Sequence, residues 1–239
     1  MYTFIVNPNA KTGLGYQVWS SLEAILKEKS VNYQVFFTKY QKHATRLAQK
    51  LTQESGAKTL IVLGGDGTIN EVINGIEDLT DTVLGYIPIG SSNDFARGMG
   101  LSTDPIQALK HILSPDRFTY INIGTAMYAG KTRRFAVSSG LGFDAGVCHQ
   151  VYVSKLKKLL NKLHLGKLSY AAVALQQILT MTPSKMTLTL DDNTPIELYK
   201  TYFEISDIAI TSSVSSVGSA FGQNLKPPPS TFWFIAVAK

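Results

Sequence analysis

Residues 64–68 read Gly64-Gly65-Asp66-Gly67-Thr68, directly after the apolar run Thr59-Leu60-Ile61-Val62-Leu63 and directly before the helix-patterned Ile69-Asn70-Glu71-Val72-Ile73. The order is strand, glycine turn, helix. Without a Cβ, the backbone at Gly64, Gly65 and Gly67 can take positive φ or come close to a ligand. The following helix offers unpaired N–H groups and a partial positive charge at its first turn. The anion suited to such a corner is a phosphate. Asp66 has the chemistry to hold Mg²⁺ beside phosphate oxygens, or else to bond local amides in an Asx-turn. Thr68 reads as the helix cap and a phosphate contact.

A second corner follows within 30 residues. Leu84-Gly85-Tyr86-Ile87-Pro88-Ile89 is an apolar strand running into Gly90-Ser91-Ser92-Asn93-Asp94, with Phe95-Ala96-Arg97 after it. Ser91, Asn93 and Asp94 bring hydrogen-bonding groups to the end of that strand. In an open α/β sheet, ligands bind at the carboxyl ends of strands, so two such turns in succession point to one shared nucleotide crevice. The chemistry that fits is phosphoryl transfer, which needs a triphosphate held, its charge neutralised by metal, and an acceptor hydroxyl deprotonated as it attacks. Asp94 has a second reading, as cap of the following helix. Arg97 reads as a phosphate ligand or a surface ion pair. His43, beside a helix start, is assigned no chemistry.

The elements that position these corners alternate as a parallel sheet requires. Strand-like runs occur at Tyr2–Val6, Tyr33–Thr38, Thr59–Leu63 and Val83–Ile89. Helical patterns lie between them, loosely over about 15 to 40 and then at His43–Glu54 and Ile69–Gly75. Asp104-Pro105 opens a further helix, Ile106–Leu113, which Ser114-Pro115-Asp116 ends. After about residue 118 the pattern becomes antiparallel and β-rich, with strands expected at Phe118–Ile123, Arg134–Ser138, Lys185–Leu190 and Glu197–Ile205 and one long helical region at Val147–Met181. The expected fold is α/β: a parallel-sheet nucleotide-binding domain over 1–118, then a β-rich, sandwich-like domain over 119–239 that is incomplete or atypical after about 205. There is no internal repeat.

The chain has 239 residues, 44% of them hydrophobic, enough for one large or two small domains with a sizeable core. Its single cysteine, Cys148, forms no intrachain disulfide. The start Met-Tyr-Thr-Phe-Ile-Val-Asn-Pro reads as a strand rather than a leader, and no run of about 18 apolar residues is present. The expected compartment is the cytoplasm, with any membrane contact peripheral, at the inner face.

The pairing of Gly64-Gly65-Asp66-Gly67-Thr68 with Pro88-Ile89-Gly90-Ser91-Ser92-Asn93-Asp94-Phe95-Ala96-Arg97 resembles the diacylglycerol kinase catalytic-domain family, particularly the soluble bacterial lipid kinases. Asn7-Pro8 with Gly13 resembles its first nucleotide loop, Thr38 with His43-Ala44 the Thr and His-Ala pair after its second strand, Glu71-Val72-Ile73-Asn74-Gly75 the helix after its glycine turn, and Gly140-Leu141-Gly142-Phe143-Asp144-Ala145 its second-domain signature. The resemblance covers roughly residues 1 to 205. It implies ATP and Mg²⁺ as cofactors and transfer of phosphate to a lipid hydroxyl, with diacylglycerol giving phosphatidic acid as the first expectation. It places Asn7, Thr38, Ser91 and Asn93 around the nucleotide and sets Asp144 towards the acceptor lipid, where a turn aspartate is the equal alternative. NAD kinase and phosphofructokinase relatives share a Gly-Gly-Asp-Gly turn, but the Asn93–Arg97 segment and the lysine-rich helix argue for lipid.

The match fails at the C-terminus. The family's Asp-Gly signature, with its presumed general base, is not visible after Ile205, and the only Asp-Gly pair is Asp66-Gly67. Ser206–Ser219 is rich in serine and glycine, Pro227-Pro228-Pro229 excludes a central strand there, and Phe232–Lys239 could form one edge strand. Asp191, Asp192 and Asp207 sit in no matching motif, so the base is unassigned. A shifted frame or truncation after about 205 is the expectation, and a divergent kinase the alternative. A binding protein that keeps the crevice without the base is the non-enzyme reading.

Between Asp144 and Asp191 there is no acidic residue, yet Lys155, Lys157, Lys158, Lys162, Lys167 and Lys185 fall there, as large a surplus as the net charge of +6. Leu156, Leu159, Leu160 and Leu163 keep helical spacing beside them. Two readings stand: a helix lying on anionic lipid and a solvated basic face of a core-packed helix. Nucleic acid is the weaker partner, because no aromatics or arginines interleave with these lysines. Replacing Lys155, Lys157, Lys158 and Lys162 with Gln is expected to lower binding to anionic vesicles. Sedimentation at moderate salt that is unchanged from wild type would reject the lipid-facing helix.

Overall fold

The computed structural model describes residues 1–53, 59–116, 118–142, 184–188, 196–200, 202–206 and 231–234. Four strands, β1 (Tyr2–Val6), β2 (Tyr33–Phe37), β3 (Thr59–Gly64) and β4 (Val83–Pro88), run parallel in the order β2-β1-β3-β4. They match the expected strands to within a residue or two. The helices between them are α1 (Ala10–Glu28), α2 (His43–Gln53) and α3 (Asp66–Gly75), followed by the short α4 (Asp94–Gly98) and by α5 (Pro105–Leu113). The looser helical pattern over 15 to 40 is shortened, because Glu28 ends α1 and the aromatic and β-branched Tyr33–Phe37 pairs with β1. α5 starts where its signals place it, with the Asp104 carboxylate accepting from the Gln107 N–H at 2.8 Å and Pro105 in the first turn.

The side-chain period of two splits the sheet's core into two layers. Phe4, Val6, Ile61, Leu63 and Ile87 point to one face, where Trp19, Leu22 and Leu26 of α1 and Leu109 and Ile112 of α5 cover them. Ile5, Leu60, Val62, Leu84 and Tyr86 point to the other, under Ala44 and Ala48 of α2, Ile69, Val72 and Ile73 of α3, and Phe95 of α4. Both faces are covered, so these strands read as continuous apolar runs. From β1 the chain moves outward to β2 and then returns to place β3 on the other side, which makes the β1/β3 boundary a topological switch point.

The remaining strands are β5 (Thr119–Asn122), β6 (Gly124–Tyr128), β7 (Lys131–Phe135), β8 (Ser138–Gly142), β9 (Ser184–Leu188), β10 (Ile196–Lys200), β11 (Tyr202–Ser206) and β12 (Thr231–Phe234). Two compact units emerge: one holds Met1–Val137 together with β12, the other β8, β9, β10 and β11 up to Ile205. In the second unit β9 pairs antiparallel with β10, and β8 forms a two-stranded sheet with β11. The run expected as one strand over Glu197–Ile205 is thus two. β12 is not an edge strand. It lies between β4, to which it is parallel, and β5, to which it is antiparallel, so that its backbone groups find partners on both sides. The helical region Val147–Met181, Asp144, Asp191, Asp192, Asp207 and Pro227–Pro229 lie outside the described residues. Among the described residues, no helix is long and apolar enough to cross a membrane.

The β6–β7 hairpin turns through Ala129 and Gly130, both at positive φ, and is tied to the C-terminal end of α3. The Asn74 side-chain amide donates to the Arg134 carbonyl at 2.8 Å, and the Arg134 N–H donates back to Asn74 Oδ1 at 2.9 Å. Arg134 Nη1 donates to the carbonyls of Ile73 and Ile76 at 3.1 and 2.6 Å, serving carbonyls the helix leaves without partners at its negative end. Arg134→Ala removes these charge-assisted bonds, and chemical denaturation is expected to show a loss of about 1.5–3 kcal/mol. An unchanged midpoint would mean that the hairpin docks by other contacts.

Candidate functional site

The turn after β3 and the turn after β4 touch backbone to backbone. A Cβ built on Gly90 would stand 2.8 Å from the Gly65 Cα, and one built on Gly65 would stand 3.1 Å from the Gly90 Cα. Only glycine at both places allows this approach. Of the two uses expected, positive φ and close approach, only the second is seen: among the described residues the positive-φ glycines are Gly13, Gly100 and Gly130, and Gly64 and Gly65 serve by closeness. Gly64 packs under Thr68, whose side chain a Cβ there would meet at 2.6 Å, while Gly67 faces open space.

Asp66 bolts the two turns together. Its Oδ2 accepts from the Asp94 N–H and its Oδ1 from the Phe95 N–H, each at 3.1 Å, so one carboxylate serves the first amides of α4. The expected alternatives were a metal ligand and a local Asx-turn. The observed bonds are not those of an Asx-turn, because their partners lie 28 and 29 residues away. Asn93 takes a left-handed conformation at φ 54°, and its Oδ1 accepts from the Gly90 N–H at 2.7 Å, closing the second turn on itself. Asp94 forms an exposed ion pair with Arg97, the surface-pair arrangement that was one of the two expected for Arg97.

Thr68 is not the helix cap. That position belongs to Gly65, and Thr68 sits in the first turn of α3, its N–H bonded to the Gly65 carbonyl. Its buried hydroxyl accepts from the Asn7 side-chain amide at 3.0 Å, while Asn7 Oδ1 accepts from the Asn9 N–H at 3.1 Å. Asn7 therefore ties the loop after β1 to α3. That loop carries three successive residues at positive φ, Lys11, Thr12 and Gly13, before α1 becomes regular. Lys11 and Thr12 are held there at a cost of about 1–2 kcal/mol each relative to ordinary backbone.

These loops enclose a cleft of about 480 Å³ at the carboxyl ends of the strands. Of the expected residues, Asn7, Thr38, Gly65, Gly67, Thr68 and Ser91 line it. Gly64, Asp66, Asn93 and Asp94 do not; they build the turns behind its wall. The cleft straddles the β1/β3 switch point, and two helix N-termini, those of α2 and α3, face it through Ala44 and Gly67-Thr68. Sequence reasoning passed over Asn9, Lys11, Lys39, Tyr40 and Gln41, which also line it. The signal for Tyr40 was available, since an aromatic three residues beyond the last residue of a sheet strand stands near that strand's carboxyl end. His43 has a structural role: its Nδ1 accepts from the Lys39 N–H at 3.0 Å and its ring stacks on Tyr40. Glu71 closes the floor, its carboxylate accepting from the Lys42 N–H and its carbonyl from the Thr45 hydroxyl, both at 2.9 Å.

Beneath the Asp66 bolt lies Tyr86, 3% exposed, packed edge-to-face on Phe95, with a buried hydroxyl that has no partner among the described residues. Burial pushes its pKa up strongly, and the nearby charges of Asp66 and Asp94 push it further. The unfolded chain releases this proton near pH 10 while the folded chain keeps it, so stability falls as pH rises past 10. Tyr86→Phe is expected to be as stable as wild type or about 1 kcal/mol more stable at pH 7, because an unpaired buried hydroxyl is removed. It is also expected to have a shallower alkaline loss. Thermal melts showing a loss of stability at pH 7 would reveal a partner for that hydroxyl.

A model of the diacylglycerol kinase catalytic domain matches residues 1–125. YtlR of Bacillus subtilis (strain 168), which carries the name of a lipid kinase, is 33% identical over 208 residues, 84% of this chain and 67% of that protein. A protein of the same strain named diacylglycerol kinase is 29% identical over 179 residues, 72% of this chain and 54% of that one. A crystal structure described as a diacylglycerol kinase from Bacillus anthracis strain Sterne superposes with a TM-score of 0.59 at 24% identity, covering 85% of this chain and 62% of that one. The chain thus spans between half and about two thirds of the length of these proteins.

Proposed function

This chain belongs to the diacylglycerol kinase catalytic domain family, and from that premise we propose that it binds ATP in the cleft and transfers the γ-phosphate to a lipid hydroxyl. Diacylglycerol is the first acceptor proposed, with phosphatidic acid as product. The observation that carries this reading is the contact of the Gly65 and Gly90 turns at the strand ends, beside the positive end of α3. The N–H group of Gly67 and the Thr68 hydroxyl, which accepts from Asn7 and still has its own proton to donate, are assigned to the phosphates, with Asn7, Thr38 and Ser91 on the walls around the nucleotide. Gly64, Gly65 and Asn93 shape those walls.

Magnesium fits the donor set in one specific way. Among the described residues no three His, Cys, Asp or Glu side chains gather as a ready-made cage. Each Asp66 oxygen accepts one N–H and keeps further lone-pair capacity. Asp66 would therefore hold Mg²⁺ jointly with phosphate oxygens, the usual arrangement for this ion. Bound there, the ion would neutralise charge on the phosphates during transfer. In the transfer itself the acceptor hydroxyl oxygen bonds to the γ-phosphorus as its proton passes to solvent water, the bond to the bridging oxygen breaks, and ADP leaves. Asp94 is assigned to the acceptor side of the site, and the proposed setting is the surface of a membrane that holds the lipid.

The test is incubation with γ-labelled ATP and Mg²⁺ against diacylglycerol micelles, sphingosine, NAD and fructose 6-phosphate. Label is expected on a lipid, and Asp66→Asn is expected to lower transfer by about 10²-fold or more. Label on NAD or the sugar would overturn the lipid assignment. Nucleotide binding without transfer to any acceptor would leave a binding protein in place of a kinase.

A further inference from the structure

We infer that Tyr40 is the platform on which the base of the bound nucleotide stacks, an inference that rests on reading the cleft as a nucleotide site. Tyr40 lines the cleft and is 52% exposed, yet its ring is held in place. The His43 ring stacks on it with centroids 4.6 Å apart and planes 29° from parallel. Arg46 Nη1 donates to the Tyr40 hydroxyl at 3.1 Å, and the guanidinium carbon stands 5.7 Å from the ring centroid. His43 is itself fixed by the Lys39 N–H. Both supports come from α2 at positions i and i+3, which share one helix face.

An exposed aromatic gains little from the core, and an unsupported one would sample several rotamers. Here a flat π surface is held still at the mouth of a polar cleft, so a stacking partner meets a ring whose rotamer freedom is already lost. The sheet order sets the scale. Tyr40 follows β2, the first corner follows β3 and the second follows β4, so the ring stands two to three strand spacings, about 10–14 Å, from the glycine turns. A ligand that meets both ends carries an anionic tail and an aromatic head. Inorganic phosphates and sugar phosphates lack the head; a nucleoside triphosphate has it.

Titration calorimetry with MgATP and with magnesium tripolyphosphate, on wild type, Tyr40→Ala and Tyr40→Phe, separates the possibilities. Tyr40→Ala is expected to weaken ATP by about tenfold, the scale of one base–aromatic stack. Tripolyphosphate affinity should stay unchanged, and Tyr40→Phe should bind ATP close to wild type. Wild-type affinity for ATP in Tyr40→Ala would overturn the stacking role while leaving the nucleotide site intact. An equal loss for both ligands would overturn it too, assigning Tyr40 to the shape of the loop. Failure of the wild-type protein to bind either ligand would instead overturn the nucleotide reading on which this inference rests.

Discussion

The contact between Gly65 and Gly90, bolted by the Asp66 carboxylate, is the constraint on which the rest depends. Adjacent parallel strands bring β3 and β4 side by side, but two loops with side chains could not close to this distance. With both Cβ atoms absent, the α4 amides come within reach of Asp66, and a single carboxylate then fixes the relative position of α3 and α4. The same carboxylate has an electrostatic consequence. A negative group set beside a polyphosphate would repel it unless countered, and the countering charges available are the helix N-terminus and a cation. The magnesium role proposed for Asp66 and its structural role are therefore linked.

Around that bolt the fold supplies stiffness. Strands buried on both faces hold β1, β3 and β4 in register, Asn7 ties the strained loop after β1 to Thr68, and Arg134 secures the far end of α3. The strain at Lys11 and Thr12 stands on the rim of the cleft, where departures from relaxed backbone concentrate in proteins that bind there. Tyr86 shows the same tension from below. A hydroxyl without a partner among the described residues sits inside the layer that carries the bolt, at a cost that a phenylalanine would avoid.

Much of this was legible in the residues themselves. Continuous apolar runs marked β1, β3 and β4 because a sheet covered on both faces leaves no polar alternation to blur them. The two glycine corners were visible because strand, turn and helix signals meet there within a few positions. Their meeting in space was inferred from the sheet rule, but its mechanism was not: that Asp66 reaches amides 28 and 29 positions away is a fact of tertiary packing. Thr68 was misread as a cap because a threonine near a helix start has that local preference, whereas its hydroxyl is taken by Asn7 from another loop. Tyr40, Arg134 and Tyr86 were missed for a similar reason, since their roles come from α2, α3 and α4 packing against them. The edge-strand reading of the terminal run failed because pairing choice for a short apolar strand depends on which edge stands open, and here β4 offered one.

The most direct test of the central claim is a crystal structure of the protein with a non-hydrolysable ATP analogue and Mg²⁺. The account predicts phosphate oxygens within hydrogen-bond distance of the Gly67 amide and the Thr68 hydroxyl, the metal shared between those phosphates and Asp66, and the two glycine turns still in contact. Phosphates bound away from both turns, or turns separated by the ligand, would contradict it.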